Sequence, residues 1–168
     1  MFETAWWQRD DLGYRDGRLH LAGRDLAALA AQHDTPAFVY SQARVRANLD
    51  RLHDALEAAG VPHRLYYAIK ANRFEPLLRA MQGWGRCGID VCSPAEMEYA
   101  LGLGFAERDI SFTGHAVSNA DLDAFARRPG VHVNCDAIST IRRLGERCPG
   151  REIGIRVNPR VGAGYTDK

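Results

Sequence analysis

The sequence predicts an α/β fold with a parallel sheet, and within that class a (β/α)8 barrel of the TIM type, of which the chain would hold about six βα units. From Pro36 onward, short apolar runs suited to buried strands alternate with segments of helical period. The polar residues that end these runs recur every 20 to 23 positions, at Lys70, Asp90, Thr113, Asp136 and Asn158. A period of this length is typical of βα units, and it fits both an open doubly wound sheet and a barrel.

The first 35 residues differ from this pattern and are predicted as a separate segment, with the partial barrel over 36–168. The Asp16-Gly17 pair indicates a turn followed by a short strand. The stretch 24–33 is rich in Ala and Leu and predicts one or two helical turns, closed before Pro36.

Six strands are expected after this segment, over 37–40, 64–69, 87–92, 109–113, 131–135 and 152–157. Helices are expected over 43–59, 94–103, 121–127 and 138–147. The longest helix has apolar residues at helical spacing, with Ser41 placed to cap it and Gly60 placed to end it.

Alternation along the strands favours the barrel over the doubly wound sheet. In the last strand, Ile153, Ile155 and Val157 share one face, so Gly154 and Arg156 lie on the other. A strand between two helix layers would be apolar on both faces. Here one face ends in polar side chains, namely Lys70, Asp90, Asn134 or Asp136, and Arg156. We expect them to converge at the C-terminal mouth of the barrel, and Lys70 and Arg156 on opposite faces would refute this arrangement.

Composition excludes several classes of function. The 22 Lys and Arg residues nearly balance the 21 Asp and Glu residues, for a net charge of +1, which argues against a nucleic-acid or membrane surface. The absence of a signal-like N-terminus and of a run of ~20 apolar residues predicts a cytoplasmic protein. Four cysteines without a Cys-x-x-Cys pair predict reduced, mostly buried thiols and no metal site.

The sequence is short for the fold that it predicts. A full barrel of this type needs about 250 residues, whereas this chain has 168. We therefore expect the N-terminal part of a longer protein, truncated before strands seven and eight.

The segment 67–72, Tyr-Ala-Ile-Lys-Ala-Asn, resembles the cofactor-binding strand of the fold-type III decarboxylases that use pyridoxal 5′-phosphate (PLP), the ornithine, diaminopimelate and arginine decarboxylase group. Further segments resemble this family in the same order, at 35–40, 88–96, 112–114, 133–136 and 155–159. The Arg-Val-Asn-Pro sequence at 156–159 is most similar to diaminopimelate decarboxylases. The resemblance covers nearly the whole chain.

This resemblance implies an alanine racemase-like barrel, with the N-terminal segment belonging to a second, β domain. It implies a PLP-dependent carboxy-lyase of lysine biosynthesis that acts on a diaminopimelate-like or other basic or diamino acid, as a homodimer. Lys70 would be the catalytic residue that binds PLP as a Schiff base. The residues that provide the phosphate-binding turn, the acid for the pyridine nitrogen and a cysteine contributed across the dimer would follow strand six. The fragment alone is therefore expected to be inactive.

Four other residues carry weaker expectations. Asp90 and Arg156 match family positions near the cofactor. Glu96 matches a third, although Ser93-Pro94-Ala95-Glu96 is also a capping box that accounts for Glu96 by itself. His115 departs from the family, and it is either a cofactor or substrate contact or an ordinary loop histidine.

Asp136 is interpreted as the cap of the helix that begins near Ile138.

Two alternatives stay open. One is an alanine racemase-like enzyme or PLP-carrier barrel, and the other is a truncated, non-catalytic regulator of a full-length relative. The segment from Asp90 to Glu96 and the Arg-Val-Asn-Pro sequence favour the decarboxylase over the first. The intact sequence around Lys70 argues against the second.

Overall fold

A computed structural model describes residues 8–159, which form two compact units, unit 1 within Met1–Pro62 and unit 2 within His63–Lys168. The sequence-based division after residue 35 stays a prediction. Within 8–159, no helix combines the length and the apolar character needed to cross a lipid bilayer.

Unit 1 begins with a small antiparallel sheet. Strands β1 (Leu12–Arg15) and β2 (Arg18–Leu21) form a hairpin, and β3 (Arg24–Asp25) pairs with β2. The turn residues Asp16 and Gly17 both have positive φ, 49° and 75°, which matches the two-residue turn that the right-handed strand twist favours. The predicted turn is confirmed, and strands lie on both sides of it.

Two helices complete unit 1. Helix α1 (Leu26–His33) begins at Asp25, whose carboxylate accepts the first free N–H groups. Helix α2 (Gln42–Ala58) begins at Ser41 and is followed by Gly60 at φ 66°, so both predicted ends are confirmed. Asp11 accepts from Arg44 Nε of α2 at 2.9 Å, which ties the helix to the sheet.

The strand predicted over 37–40 is wrong. These residues are irregular, no strand of the described range pairs with them, and Phe38 is 87% exposed. An apolar run becomes a strand only where a neighbouring strand completes its main-chain hydrogen bonds, and this run lacks that neighbour among residues 8–159.

Unit 2 is a βα repeat. Its five parallel strands are β4 (Tyr66–Ala68), β5 (Gly88–Val91), β6 (Ile110–Thr113), β7 (His132–Cys135) and β8 (Gly154–Ile155). They lie side by side in chain order. The helices are α3 (Glu75–Trp84), α4 (Pro94–Gly102), α5 (Asn119–Ala126) and α6 (Ile138–Arg147). The α/β class, the parallel sheet and five of the six predicted strands are confirmed, and α3 was not predicted.

The sheet has one apolar and one polar face, as the alternation predicted. Buried side chains of β5, β6 and β7 form the apolar face, and Phe125 of α5 stacks on Phe112 with ring centroids 3.9 Å apart. The register places Asp90 beside Ser111, Thr113 beside Asn134, and Asn134 beside Gly154 on the other face. At the edge strand β8, Ile155 is 68% exposed.

Candidate functional site

Lys70 lies directly after β4, in a 3-10 turn over Ile69–Ala71. Ile69 is buried and anchors this turn, whereas the Lys70 side chain is exposed. Among residues 8–159, the Lys70 amine has no ion-pair or hydrogen-bond partner. The turn therefore presents an uncommitted primary amine at the C-terminal edge of the sheet.

Asp90 is half-buried on the polar face of β5 and accepts a hydrogen bond from Thr113 Oγ1 at 3.2 Å. Burial raises the pKa of this carboxyl, because the charged form loses water. The hydroxyls of Thr113 and Ser111 and the charge of Lys70 oppose that rise, and the charge of Glu96 adds to it. Lys70 and Asp90 thus interact electrostatically at one end of the sheet.

Arg156 lies at the same end. Its N–H donates to Cys135 O at 2.8 Å, which extends the hydrogen bonding between β7 and β8 by one residue. Because side chains alternate along a strand, Arg156 lies on the same face as Gly154, which is the polar face. The pKa of the nearby Cys92 thiol is raised by burial, and the charges of Lys70 and Arg156 both act against that rise. The two cations therefore lie at the same end of the sheet, and their convergence at a barrel mouth stays a prediction.

Glu96 lies in the first turn of α4, and one of the two hydrogen bonds of the predicted capping box is present there. Ser93 Oγ accepts from Glu96 N at 3.2 Å, as a capping serine does. The Glu96 carboxylate reaches past Ser93 and accepts from Cys92 N at 2.7 Å. Glu96 also lines a cleft of about 310 Å³ with Ile69, Arg73, Ala95 and Tyr99. It therefore joins the start of α4 to the end of β5.

The interpretation of Asp136 as a helix cap is wrong. The N-cap of α6 is Ala137, which has no side chain able to cap it. Asp136 Oδ2 lies instead 2.5 Å from Nδ1 of His115, which is 65% exposed in the loop after β6. This contact joins the loop after β6 to the loop after β7 at the C-terminal end of the sheet.

Sequence reasoning missed the hydrogen bonds that connect the polar side chains of three strands. Asn134, expected at the mouth, donates to Ser111 Oγ and Thr113 Oγ1 at 3.1 and 3.0 Å. Ser111 was not singled out, although its place two residues before Thr113 in an alternating strand puts it on the same face.

All four cysteines are free. Cys87 and Cys135 are buried, and Cys92 and Cys148 are half-buried, so the expected thiols are only partly enclosed. Within the described range, no cluster of three His, Cys, Asp or Glu residues could hold a metal ion.

The geometry limits what this site can hold. An open amine can condense with an aldehyde, and Arg156 offers positive charge to an anionic group. The charge of Lys70 acts on the Asp90 carboxyl, which lies at the same end of the sheet. An anionic aldehyde fits this set of side chains.

Comparison with known proteins supports that chemistry. Residues 42–168 match the family model described as "Pyridoxal-dependent decarboxylase, pyridoxal binding domain". The diaminopimelate decarboxylase of Methanothermobacter thermautotrophicus is 39% identical over 150 residues, which cover 89% of this chain and 35% of that protein. The Pseudomonas fluorescens enzyme of the same name is 35% identical over 163 residues, covering 92% and 38%.

Solved structures of diaminopimelate decarboxylases are also similar to this chain. The crystal structure of diaminopimelate decarboxylase from M. jannaschii superposes with a TM-score of 0.81 at 26% identity, covering 91% of this chain and 37% of that one. The same enzyme in complex with L-lysine gives identical values. The chain thus spans between a third and two fifths of the length of these relatives.

Proposed function

Because the chain belongs to the pyridoxal-dependent decarboxylase family, we propose that it binds PLP through Lys70 and forms the N-terminal part of an amino-acid decarboxylase. The observation that carries this proposal is the position of Lys70 within the matched region. Its amine is uncommitted among residues 8–159, and Asp90 and Arg156 lie at the same end of the sheet.

Each of these residues would have a distinct task. Lys70 would hold the cofactor covalently through Nζ, and Arg156 would supply positive charge to an anionic group. The Asp90 carboxylate would place negative charge near the nitrogen of Lys70. When bound, PLP supplies an electron-poor ring that takes up the electron pair left by loss of a carboxylate.

Glu96 and His115 stay predictions as cofactor contacts. Glu96 is already bonded to Cys92 N, and His115 is bonded to Asp136. Either side chain would need its free oxygen or nitrogen to reach the cofactor.

A barrel is the proposed architecture of the whole protein. Five parallel strands in unbroken chain order are expected of a barrel wall, whereas a doubly wound sheet reverses its order at a switch point. A polar face on this sheet also supports a barrel interior, because a sheet between two helix layers is apolar on both faces.

The proposed substrate is diaminopimelate or another basic or diamino acid. The relatives named above are diaminopimelate decarboxylases, and one of them was crystallised with L-lysine, which is diaminopimelate after loss of one carboxylate. Homodimer formation and a cytoplasmic location remain parts of the same proposal.

The first experiment tests cofactor attachment. Lys70 and Lys168 are the two lysines of the whole sequence. The purified chain is incubated with PLP, reduced with borohydride, and analysed by peptide mass spectrometry. We expect the label on Lys70, no label on that peptide in Lys70→Ala, and an unchanged result in the matched variant Lys168→Ala. Label confined to Lys168 or the N-terminal amine would refute the proposal.

The second experiment tests the reaction. Protein from the longest reading frame containing this sequence is loaded with PLP and assayed for carbon dioxide release from diaminopimelate, ornithine, arginine and lysine. We expect release with at least one substrate and a loss of at least about a thousandfold in Lys70→Ala. Loss of optical activity without carbon dioxide would support the racemase instead.

A further inference from the structure

The polar face of unit 2 carries a hydrogen-bonded set of five side chains, here called the Asn134 cluster: Asp90, Ser111, Thr113, His132 and Asn134. They come from three neighbouring strands, β5, β6 and β7. The chemistry of donors and acceptors fixes the direction of each bond.

The orientation of the Asn134 amide follows from a main-chain group. One end of the amide lies 3.2 Å from Phe112 O, a carbonyl that can only accept, so this end is the nitrogen. The other end, Oδ1, lies 3.1 Å from His132 Nε2. Because Oδ1 can only accept, Nε2 of His132 carries a proton.

The same reasoning orients two hydroxyls. Asn134 Nδ2 lies 3.1 Å from Ser111 Oγ and 3.0 Å from Thr113 Oγ1, and an amide nitrogen only donates. The two protons of this nitrogen serve three acceptors, Phe112 O and the two hydroxyl oxygens, so one proton is shared between two acceptors. Both hydroxyls accept from Asn134, and their own protons are free for another partner. That partner is Asp90, which lies 3.2 Å from Thr113 Oγ1 and also bonds with Ser111.

We propose that Asn134 is a positioning residue of the cofactor site, which acts through Ser111 and Thr113 to hold Asp90 as a carboxylate directed at Lys70. This inference rests on the proposed function, in which Lys70 holds the cofactor. Asp90 also faces Glu96 of α4, whose like charge disfavours the ionised form. Two oriented donors counter both that charge and the loss of water.

Gly154 makes room for the cluster. A Cβ atom at this position would lie 2.0 Å from Oδ1 of Asn134 and 3.0 Å from Nε2 of His132. The φ of Gly154 is not positive, so its backbone accepts alanine. Gly154→Ala should therefore displace the Asn134 amide while it leaves Asp90, Ser111 and Thr113 chemically unchanged.

The test is a titration of the Asp90 carboxyl carbon by 13C NMR in the purified chain without cofactor. Thr113→Val removes one donor and keeps the shape, and we expect the pKa of Asp90 to rise by about one pH unit or more. Asn134→Leu and Gly154→Ala should raise it in the same direction, and Thr113→Ser should restore it. Thr140→Val, a matched change of a buried threonine in α6, should leave it unchanged.

An Asp90 titration that does not move in Thr113→Val and Gly154→Ala would overturn the inference. Both variants preserve most side chains of the cluster, so the result does not depend on the folding of Asn134→Leu. Nitrogen-15 NMR of the His132 ring gives a second reading, because we expect a proton on Nε2 in the original protein and its loss or exchange broadening in Gly154→Ala.

A cofactor measurement separates this inference from the proposed function. If the original protein does not attach PLP at Lys70, the proposed function fails, and the NMR titration still decides the cluster's effect on Asp90. If it does attach PLP, we expect Thr113→Val and Asn134→Leu to capture at least about threefold less at limiting PLP. Unchanged capture in a variant whose Asp90 titration has moved would overturn the positioning role.

Discussion

Replacement of Glu96 by alanine should destabilise unit 2 because this carboxylate is part of the fold at the start of α4. It accepts the Cys92 N–H at 2.7 Å and lies in the first helical turn, where negative charge is favourable. Helix α4 contributes the fully buried Met97 and Ala100 to the core, so loosening of its first turn affects packing as well.

The size of the loss can be derived from these contacts. Removal of a capping acceptor costs about 1 kcal/mol, within a range of roughly 0.5–2, and loss of the charge near the helix N-terminus adds about 0.3–1 kcal/mol. We therefore expect Glu96→Ala to cost about 1–2 kcal/mol, which lowers the melting temperature by roughly 4–8 °C per kcal/mol for a unit of this size. Glu96→Gln keeps an acceptor and should lose about half as much.

The assay is thermal and urea denaturation followed by circular dichroism, without cofactor. Glu98→Ala is the matched control on the same helix, since Glu98 is 55% exposed and pairs with Arg128 at the surface. Such a pair contributes about 0–1 kcal/mol. Equal losses in the two alanine variants would refute the reasoning, and an effect of Glu96→Ala on PLP capture alone would show that Glu96 acts through the cofactor.

Three further predictions concern the fold. Phe125→Ala removes a fully buried ring stacked on Phe112 and should cost about 3–5 kcal/mol in urea denaturation, whereas Ile138→Ala, at a 78% exposed position, should cost less than about 1. The hydrogen bond from Arg44 lowers the pKa of Asp11 from 3.8 to about 2, so the stabilisation that the Asp11 carboxylate gives unit 1 is present above pH 3.8 and is lost as the pH falls toward 2. Asp11→Asn should therefore make the hydrogen exchange of unit 1 less sensitive to acid. An unchanged pH profile would contradict the assignment. Arg151 donates to three main-chain carbonyls between α5 and the start of β7, so Arg151→Lys should cost about 1.5–3 kcal/mol, and a loss below about 0.5 would contradict that role.

Local patterns were sufficient for helix α2 of unit 1 and for most elements of unit 2. The βα period, the alternation of faces and the caps at Ser41 and Gly60 depend on residues close together in the chain, and the structure agrees with each. Helix α3 was missed although Pro76 in its first turn and Gly85 at its end are ordinary signals. The strand over 37–40 failed because a strand also needs a neighbour, and that information does not lie in the run itself.

The sequence predicted which residues lie at the site, but not which hydrogen bonds connect them. Alternation placed Asp90, Asn134 and Arg156 on one face. The partners of these residues depend on the register between strands more than 20 residues apart, which no local pattern specifies. For the same reason, Asp136 was assigned to its own helix although His115, from the loop after β6, binds it.

Asn134 lies so close to Gly154 that the free-energy cost of a substitution at either position depends on the residue at the other. An alanine at 154 meets its severe clash with the side chain at 134, at 2.0 Å, and a milder one with His132 Nε2, at 3.0 Å, so Asn134→Ala with Gly154→Ala should cost less than the two single changes added together. Positions 134 and 154 should therefore vary jointly rather than independently in any library selected for folding, with glycine selected at 154 wherever 134 carries a side chain as large as asparagine.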